Sequence, residues 1–130
     1  KSLLWSIYLA YGLLTLGFAL NAISAFVVLL PNIAIHSFAF GVALMTLSLM
    51  SRVSLGHTGR NVFNPPKILN TVFILLSLAF VFRVVITAIS VDYYTQWILV
   101  SQILWVLSFS IFAFVYTPMF FKARVDGQFG

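Results

Sequence analysis

The sequence predicts an all-α protein, a transmembrane up-down four-helix bundle, on three observations. Of its 130 residues, 62% are hydrophobic and only 7% are charged, whereas a soluble domain carries roughly a quarter charged residues. Four long apolar runs follow one another, and short polar or turn-forming segments separate them. The runs lack the polar–apolar alternation of a membrane β-barrel. Short connections make successive spans antiparallel, which gives an up-down bundle.

The four helices are expected to form a single membrane domain over residues 1–130. The first run, 3–30, contains no charged residue and exceeds the ~20 residues that cross the hydrocarbon. We expect Pro31 and Asn32 to end it in a tight turn, and Pro66 to open the third helix, since proline suits the first helical position. The other three helices are predicted at about residues 33–51, 67–90 and 96–121. We expect the whole segment to be the C-terminal part of a longer polytopic protein.

The charges predict an orientation. The net charge of +5 comes from seven basic and two acidic residues. Four spans place one group of basic residues at a single membrane face: Lys1, Arg52, Arg60, Lys67, Lys122 and Arg124. The opposite face carries Asp92 and no basic residue. Because basic residues collect in cytoplasmic loops, both termini and the 51–67 segment are expected in the cytoplasm. The charge is thus a topology signal, and we expect no nucleic-acid partner.

Each predicted helix carries one hydrogen-bonding side chain in the half of the membrane away from these cations. At ~1.5 Å per residue, His36 lies roughly 7 Å from the nearer turn, Gln102 roughly 10 Å, Arg83 roughly 12 Å and Asn21 roughly 15 Å. Such groups either bond helices to one another or line a cofactor or substrate site. The residues leave both interpretations open, with structural bonding favoured for Asn21 and Gln102.

Arg83 is the most demanding member of this layer, because a central arginine costs about 2.5–3.5 kcal/mol on insertion scales. Asp92 is nine helical positions away and faces the opposite side of the axis. Arg83 therefore needs a partner from another helix, another chain or an anionic cofactor. His36 is a candidate metal ligand, but His57 lies roughly 30 Å along the chain and cannot share its metal. A copper site at the far face remains an alternative, formed by Met50, His57 and Met119.

No catalytic constellation is visible in the sequence. The chain has no cysteine, which excludes thiol catalysis and thiolate metal sites in this segment. It has two acidic residues, one in each aqueous margin, so acid–base catalysis by a carboxylate pair is nearly excluded. Whether the protein is an enzyme stays open.

The polar stretch SRVSLGHTGRNV, residues 51–62, and the end of the chain, YTPMFFKARVDGQFG, carry a family resemblance. We expect Gly56 to end the second helix in the left-handed conformation that glycine tolerates. Together the two stretches resemble the signature of the NnrS family, bacterial inner-membrane proteins linked to the nitric-oxide response. Lys122 and Ala123 replace the family's usual Arg-Pro, and Asn61 stands where proline is usual. The family-marked positions are Arg52, Gly56, His57, Thr58, Gly59, Arg60, Arg124, Asp126 and Gly127.

The resemblance implies a multi-pass protein of the bacterial inner (cytoplasmic) membrane that is associated with haem and copper and protects against nitrosative stress. It leaves open whether this segment holds either metal itself. The expected partners are the lipid bilayer and either the remaining helices of a full-length protein or a second copy of the chain. The expected cofactor contacts are Arg83 with an anionic group, such as a haem propionate, and His36 as an axial ligand.

The clustering of marked residues predicts that Asp126 docks against Arg52 or Arg60 and holds the tail beneath the bundle. Two other functions are alternatives to the one that the family resemblance implies. One is a transporter or channel segment, with the polar layer as its pathway. The other is a structural membrane module without chemistry of its own.

Overall fold

The computed structural model describes residues 2–29 and 32–128, and within these it contains helices and no strand. The helices are α1 (Ser2–Ile23), α2 (Ile33–His57), α3 (Ile68–Ile89) and α4 (Tyr94–Phe120). All four are long and apolar enough to cross a membrane. The predicted fold class is therefore confirmed.

Two predicted helix ends are wrong. α1 ends at Ile23 rather than near residue 30, and a turn follows in which Phe26 and Val27 bond back to the Ile23 carbonyl. Its 22 residues already extend ~33 Å, enough to cross the hydrocarbon without the rest of the apolar run. α2 continues past residue 51 to His57, since no helix-breaking conformation occurs before that point. Lys1, Leu30 and Pro31 lie outside the described residues, and with them the expected turn at Pro31.

Hydrogen bonds between the helices fix the up-down order. At one end of the molecule Trp5 Nε1, in α1, donates to Asn70 Oδ1, in α3, over 3.0 Å. Ser48 Oγ donates to Ser6 Oγ over 2.7 Å and so joins α2 to α1. The start of α1, the end of α2 and the start of α3 therefore lie together, as antiparallel neighbours require.

The α1–α2 pair is the most closely packed contact of the bundle, and glycine makes the approach possible. A Cβ on Gly41 would lie 2.8 Å from the backbone nitrogen of Leu14, and one on Gly17 would lie 2.8 Å from that of Phe38. Close approach of small residues is how membrane helices gain packing contact without a hydrophobic driving force.

Serine hydroxyls join α3 to α4. Ser101 Oγ donates to the Ala79 carbonyl over 2.7 Å, and Ser108 Oγ donates to the Val72 carbonyl over 2.9 Å. The two serines are two helical turns apart on α4, and all four residues are buried. They hold the antiparallel register of this pair.

The bundle is open on one side. α4 packs chiefly against α3, and α1 chiefly against α2. Between α2 and α4 the rings of Phe40 and Trp105 meet edge to face, with centroids 4.9 Å apart. Beside that aromatic contact, nearer the 24–32 connection, a groove remains between the two helices.

Candidate functional site

A π-helical turn at Val81–Ile86 interrupts α3 and carries Arg83. Such turns insert an extra residue into an α-helix and occur often at functional sites. Thr87 Oγ1 donates a hydrogen bond to the Arg83 carbonyl. Just before the turn, Ser101 Oγ donates one to the Ala79 carbonyl. Side-chain hydroxyls thus support the backbone on both sides of the irregular segment.

Arg83 finds its partner on another helix. Its Nη2 lies 3.1 Å from His36 Nε2, in α2. Both side chains are half-buried, within spans that otherwise offer few polar groups. Of the three kinds of partner expected for Arg83, the structure shows one on another helix, whereas Asp92 lies in the exposed turn before α4.

The pair lies in a groove of about 480 Å³ between α2, the π-helical turn and α4, a size typical of small-molecule sites. Its polar end is formed by His36, Arg83 and two neighbouring α4 residues, and its walls are apolar and aromatic. The lining residues are His36, Ala39, Phe40, Arg83, Ser101, Gln102, Trp105 and Val106.

Of the four polar residues predicted in one layer, His36, Arg83 and Gln102 therefore line the same groove, and Asn21 does not. Asn21 is exposed and lines a separate cavity of about 230 Å³ between α1 and α2, with Gly17 and Phe38. α2 stands between that cavity and the groove, so Asn21 is no part of the site with Arg83.

The chemistry that this groove can supply is the donation of hydrogen bonds to an anion. A guanidinium has five N–H donors, and among the described residues only His36 takes one of them from Arg83. Within residues 2–29 and 32–128 no three His, Cys, Asp or Glu side chains are grouped to hold a metal ion.

Four groove residues were not predicted from the sequence: Phe40, Ser101, Trp105 and Val106. The seven-residue spacing of Ser101 and Ser108 on one face of α4 was a usable signal for α3–α4 bonding. The π-helical turn had none, because VFRVVI contains no glycine, proline or charge pattern that distinguishes it from regular helix.

The family-marked stretch 52–60 forms the end of α2. Gly59 has φ 72°, its N–H bonds to the Gly56 carbonyl, and the N–H of Arg60 bonds to the Leu55 carbonyl. This is the Schellman pattern, with Gly59 at C′. The expectation that Gly56 ends the helix in this way is wrong, because the helix runs one turn further before it needs the left-handed residue.

The tail docks onto this helix end, with a different ion pair from the expected one. The Val125 N–H donates to the Thr58 carbonyl over 3.3 Å, and a Cβ on Gly59 would lie 2.7 Å from the Asp126 carboxyl carbon. Arg124 donates two hydrogen bonds to the Asp126 carboxylate, one from Nε over 2.9 Å and one from Nη2 over 2.6 Å. These bonds hold the pKa of Asp126 at about 2, below its ordinary 3.8.

The prediction that Asp126 pairs with Arg52 or Arg60 is therefore wrong. A cation two residues away in the same turn reaches the carboxylate with less loss of chain entropy than a distant one.

The two family-marked stretches, at the end of α2 and in the tail, nevertheless meet. Thr58 is buried and donates to the Ser54 carbonyl, Gly127 has φ 72°, and Arg52 and His57 are exposed. This assembly lies at the opposite end of α2 from His36, roughly 30 Å away.

Comparisons with known proteins bear on this arrangement. Curated proteins and solved structures give no match. Among protein families, the one described as NnrS protein matches residues 1–124. Because that match covers nearly the whole chain and includes the LGHTGR stretch and all four helices, the chain belongs to the NnrS family.

Proposed function

We propose that this protein is a haem- and copper-associated membrane protein of the nitric-oxide response, with a role in resistance to nitrosative stress. The observation that carries the proposal is membership of the NnrS family over residues 1–124. Four helices suited to the bilayer are consistent with a membrane-embedded role. The lipid bilayer is the first partner in this proposal, with further helices of a longer chain or a second copy beside the open side of the bundle.

The groove at Arg83 is the proposed contact for haem in this segment. An arginine inside a span needs protein, water or an anion as its partner, and Arg83 keeps donors beyond the one that it gives to His36. A carboxylate accepts two parallel bonds from such a group. The apolar walls with Phe40 and Trp105 suit the body of a macrocycle, so the residues present fit the acidic edge of haem. When bound, haem supplies an iron whose reactivity its surroundings tune.

The described residues fit the ligation of a metal ion less well than they fit the carboxylates of haem. His36 Nε2 is engaged with Arg83, so ligation of iron by His36 requires that bond to break. For copper, the described residues present no group of three His, Cys, Asp or Glu side chains, and we assign no copper ligand to this segment.

The proposed location is the bacterial inner membrane, with both ends of this segment and the 58–67 connection in the cytoplasm. Arg52, Arg60, Lys67 and Lys122 lie at one end of the bundle, and Asp92 lies at the other. That asymmetry supports the orientation through the positive-inside rule.

The proposal is tested by the haem content of the complete gene product, purified from membranes. The wild-type protein should show a haem absorption band, and Arg83→Ala should lower the ratio of haem to protein because the anion loses its cation. Lys122→Ala, an exposed cation at the opposite end, serves as the matched control and should leave the ratio unchanged. A wild-type protein without haem would contradict the proposal. Unchanged spectra and haem content in both Arg83→Ala and His36→Ala would remove this groove from it.

A further inference from the structure

We infer that His36 is a positioning residue for Arg83 and not an iron ligand. The pair recognises a carboxylate on a planar, largely apolar molecule that reaches the groove laterally. This inference rests on the proposed function, because it specifies how the same groove holds haem.

The hydrogen bond between the two side chains fixes the role of each nitrogen of His36. Arginine is a donor only, so His36 Nε2 must accept across the 3.1 Å contact. A neutral imidazole has one acceptor nitrogen and one N–H nitrogen. With Nε2 accepting from Arg83, the ring proton is on Nδ1, and neither nitrogen has a lone pair left for a metal ion.

The same bond restrains the guanidinium. One of its N–H groups is held by α2, while the side chain starts from a π-helical turn and lines the groove. A guanidinium fixed at one corner loses less freedom when its remaining donors bind a carboxylate, and its planar fork suits that group. His36 thus orients Arg83 toward the groove.

The walls and the opening of the groove define the rest of the ligand. Phe40 and Trp105 form the aromatic part of the wall near the polar end, with Ala39 and Val106 beside them. Val106 is 61% exposed although it lies in the middle of a membrane-spanning helix. The groove is therefore open sideways, and an apolar molecule can enter it from the bilayer or from between further helices.

The test compares two forms of one macrocycle on the complete gene product, prepared without haem. Haemin carries two carboxylates, and its dimethyl ester carries none. Loss of a charge-assisted hydrogen bond predicts roughly a tenfold to hundredfold weaker binding of haemin to Arg83→Gln. The ester should bind the wild-type protein about as weakly as haemin binds that variant.

Variants of His36 separate positioning from ligation. His36→Gln keeps an acceptor for the guanidinium, so it should bind haemin with nearly wild-type affinity and give an unchanged absorption spectrum. His36→Leu removes the acceptor and should weaken binding as Arg83→Gln does. Monodisperse behaviour and the unfolding midpoint of each variant show that it is folded. Ser110→Ala, an exposed position on α4, controls for the effect of substitution itself.

Three outcomes would overturn the inference. A spectrum of His36→Gln that shows a lost axial ligand would make His36 an iron ligand and leave the proposed function intact. Equal affinity of the wild-type protein for haemin and its ester, or of the wild type and Arg83→Gln for haemin, would remove the carboxylate contact. Absence of haemin binding by the wild type would overturn the proposed function and this inference together.

Discussion

At the scale of single residues, the two glycines of LGHTGR have different tasks. Gly59 has φ 72°, which L side chains rarely adopt, and a Cβ there would clash with the Asp126 carboxylate, whose carbon would lie 2.7 Å away. Gly56 is helical, and a Cβ there would meet only a methyl of Val62 at 3.9 Å. The backbone conformation and the packing of the tail therefore both require glycine at position 59, and neither requires it at position 56.

Gly59→Ala should destabilise the protein by ~1–2 kcal/mol, the strain of an alanine in the left-handed conformation. It should also displace the tail, because the new methyl takes the place of the Asp126 carboxylate. Gly56→Ala is the matched control and should be neutral or slightly stabilising, since alanine is the better helix former. The unfolding midpoint and the rate of proteolysis within residues 122–128 measure the two effects. Equal stability of both variants, with an equally protected tail, would show that the Gly59 contact does not hold the tail.

At the scale of helices, each pair is joined by a different device. α1 and α2 approach through glycines, whereas α3 and α4 are joined by serine-to-carbonyl bonds. Because each helix packs mainly within its own pair, α2 and α4 contact each other little, and the groove lies between them. The π-helical turn belongs to the α3–α4 pair, while His36 belongs to the α1–α2 pair, so the bond from Arg83 to His36 also joins the two halves of the bundle.

Gly41→Ala should separate α1 from α2, because its methyl would lie 2.8 Å from the backbone nitrogen of Leu14, which the helix prevents from moving away alone. Overpacking of this kind costs about 1–3 kcal/mol. Gly12→Ala, in α1 with no neighbouring atom within 4 Å of the new Cβ, should be neutral or stabilising. Unfolding in mixed micelles compares the two variants. A Gly41→Ala protein as stable as Gly12→Ala would mean that the close α1–α2 approach is absent in the membrane.

At the scale of the whole molecule, charge is separated along the bundle axis. Arg52, Arg60, Lys67 and Lys122 lie at the end where the tail docks, and Arg124 is neutralised there by Asp126. Asp92 lies at the end near the groove. In the orientation that we propose from the positive-inside rule, the His36–Arg83 groove would lie in the periplasmic half of the membrane, and the family-marked assembly at the cytoplasmic surface.

This orientation is open to labelling, because the chain contains no cysteine. In a background free of other cysteines, Asp92→Cys should react with an impermeant maleimide in intact spheroplasts. Asn64→Cys, in the exposed connection between α2 and α3, should react only after permeabilisation. The reverse pattern would invert the proposed topology and place the groove in the cytoplasmic half.

The sequence by itself determined the solvent, the number of spans and the up-down order. Apolar length is a local property, and a bilayer forces every such run to satisfy its own backbone hydrogen bonds as helix. It also indicated that Arg83 needs a partner beyond its own helix, although the structure supports this for a different reason: α3 ends at Ile89, and Asp92 lies in the turn before α4. The LGHTGR stretch and the tail pointed to the NnrS family, and the family match over residues 1–124 shows that membership.

The tertiary structure alone decided which polar residues meet. Asn21, His36, Gln102 and Arg83 were all predicted in the same half of the membrane, but depth does not state which faces of two helices oppose each other. That depends on the rotation of each helix, which close packing at Gly17 and Gly41 and the bonds from Ser101 and Ser108 fix. The π-helical turn shifts the face of Arg83, and the short reach from Arg124 to Asp126 outcompetes the distant arginines. Each of these results from the packing of particular atoms, and only the seven-residue spacing of Ser101 and Ser108 has a counterpart in the periodicity of the sequence.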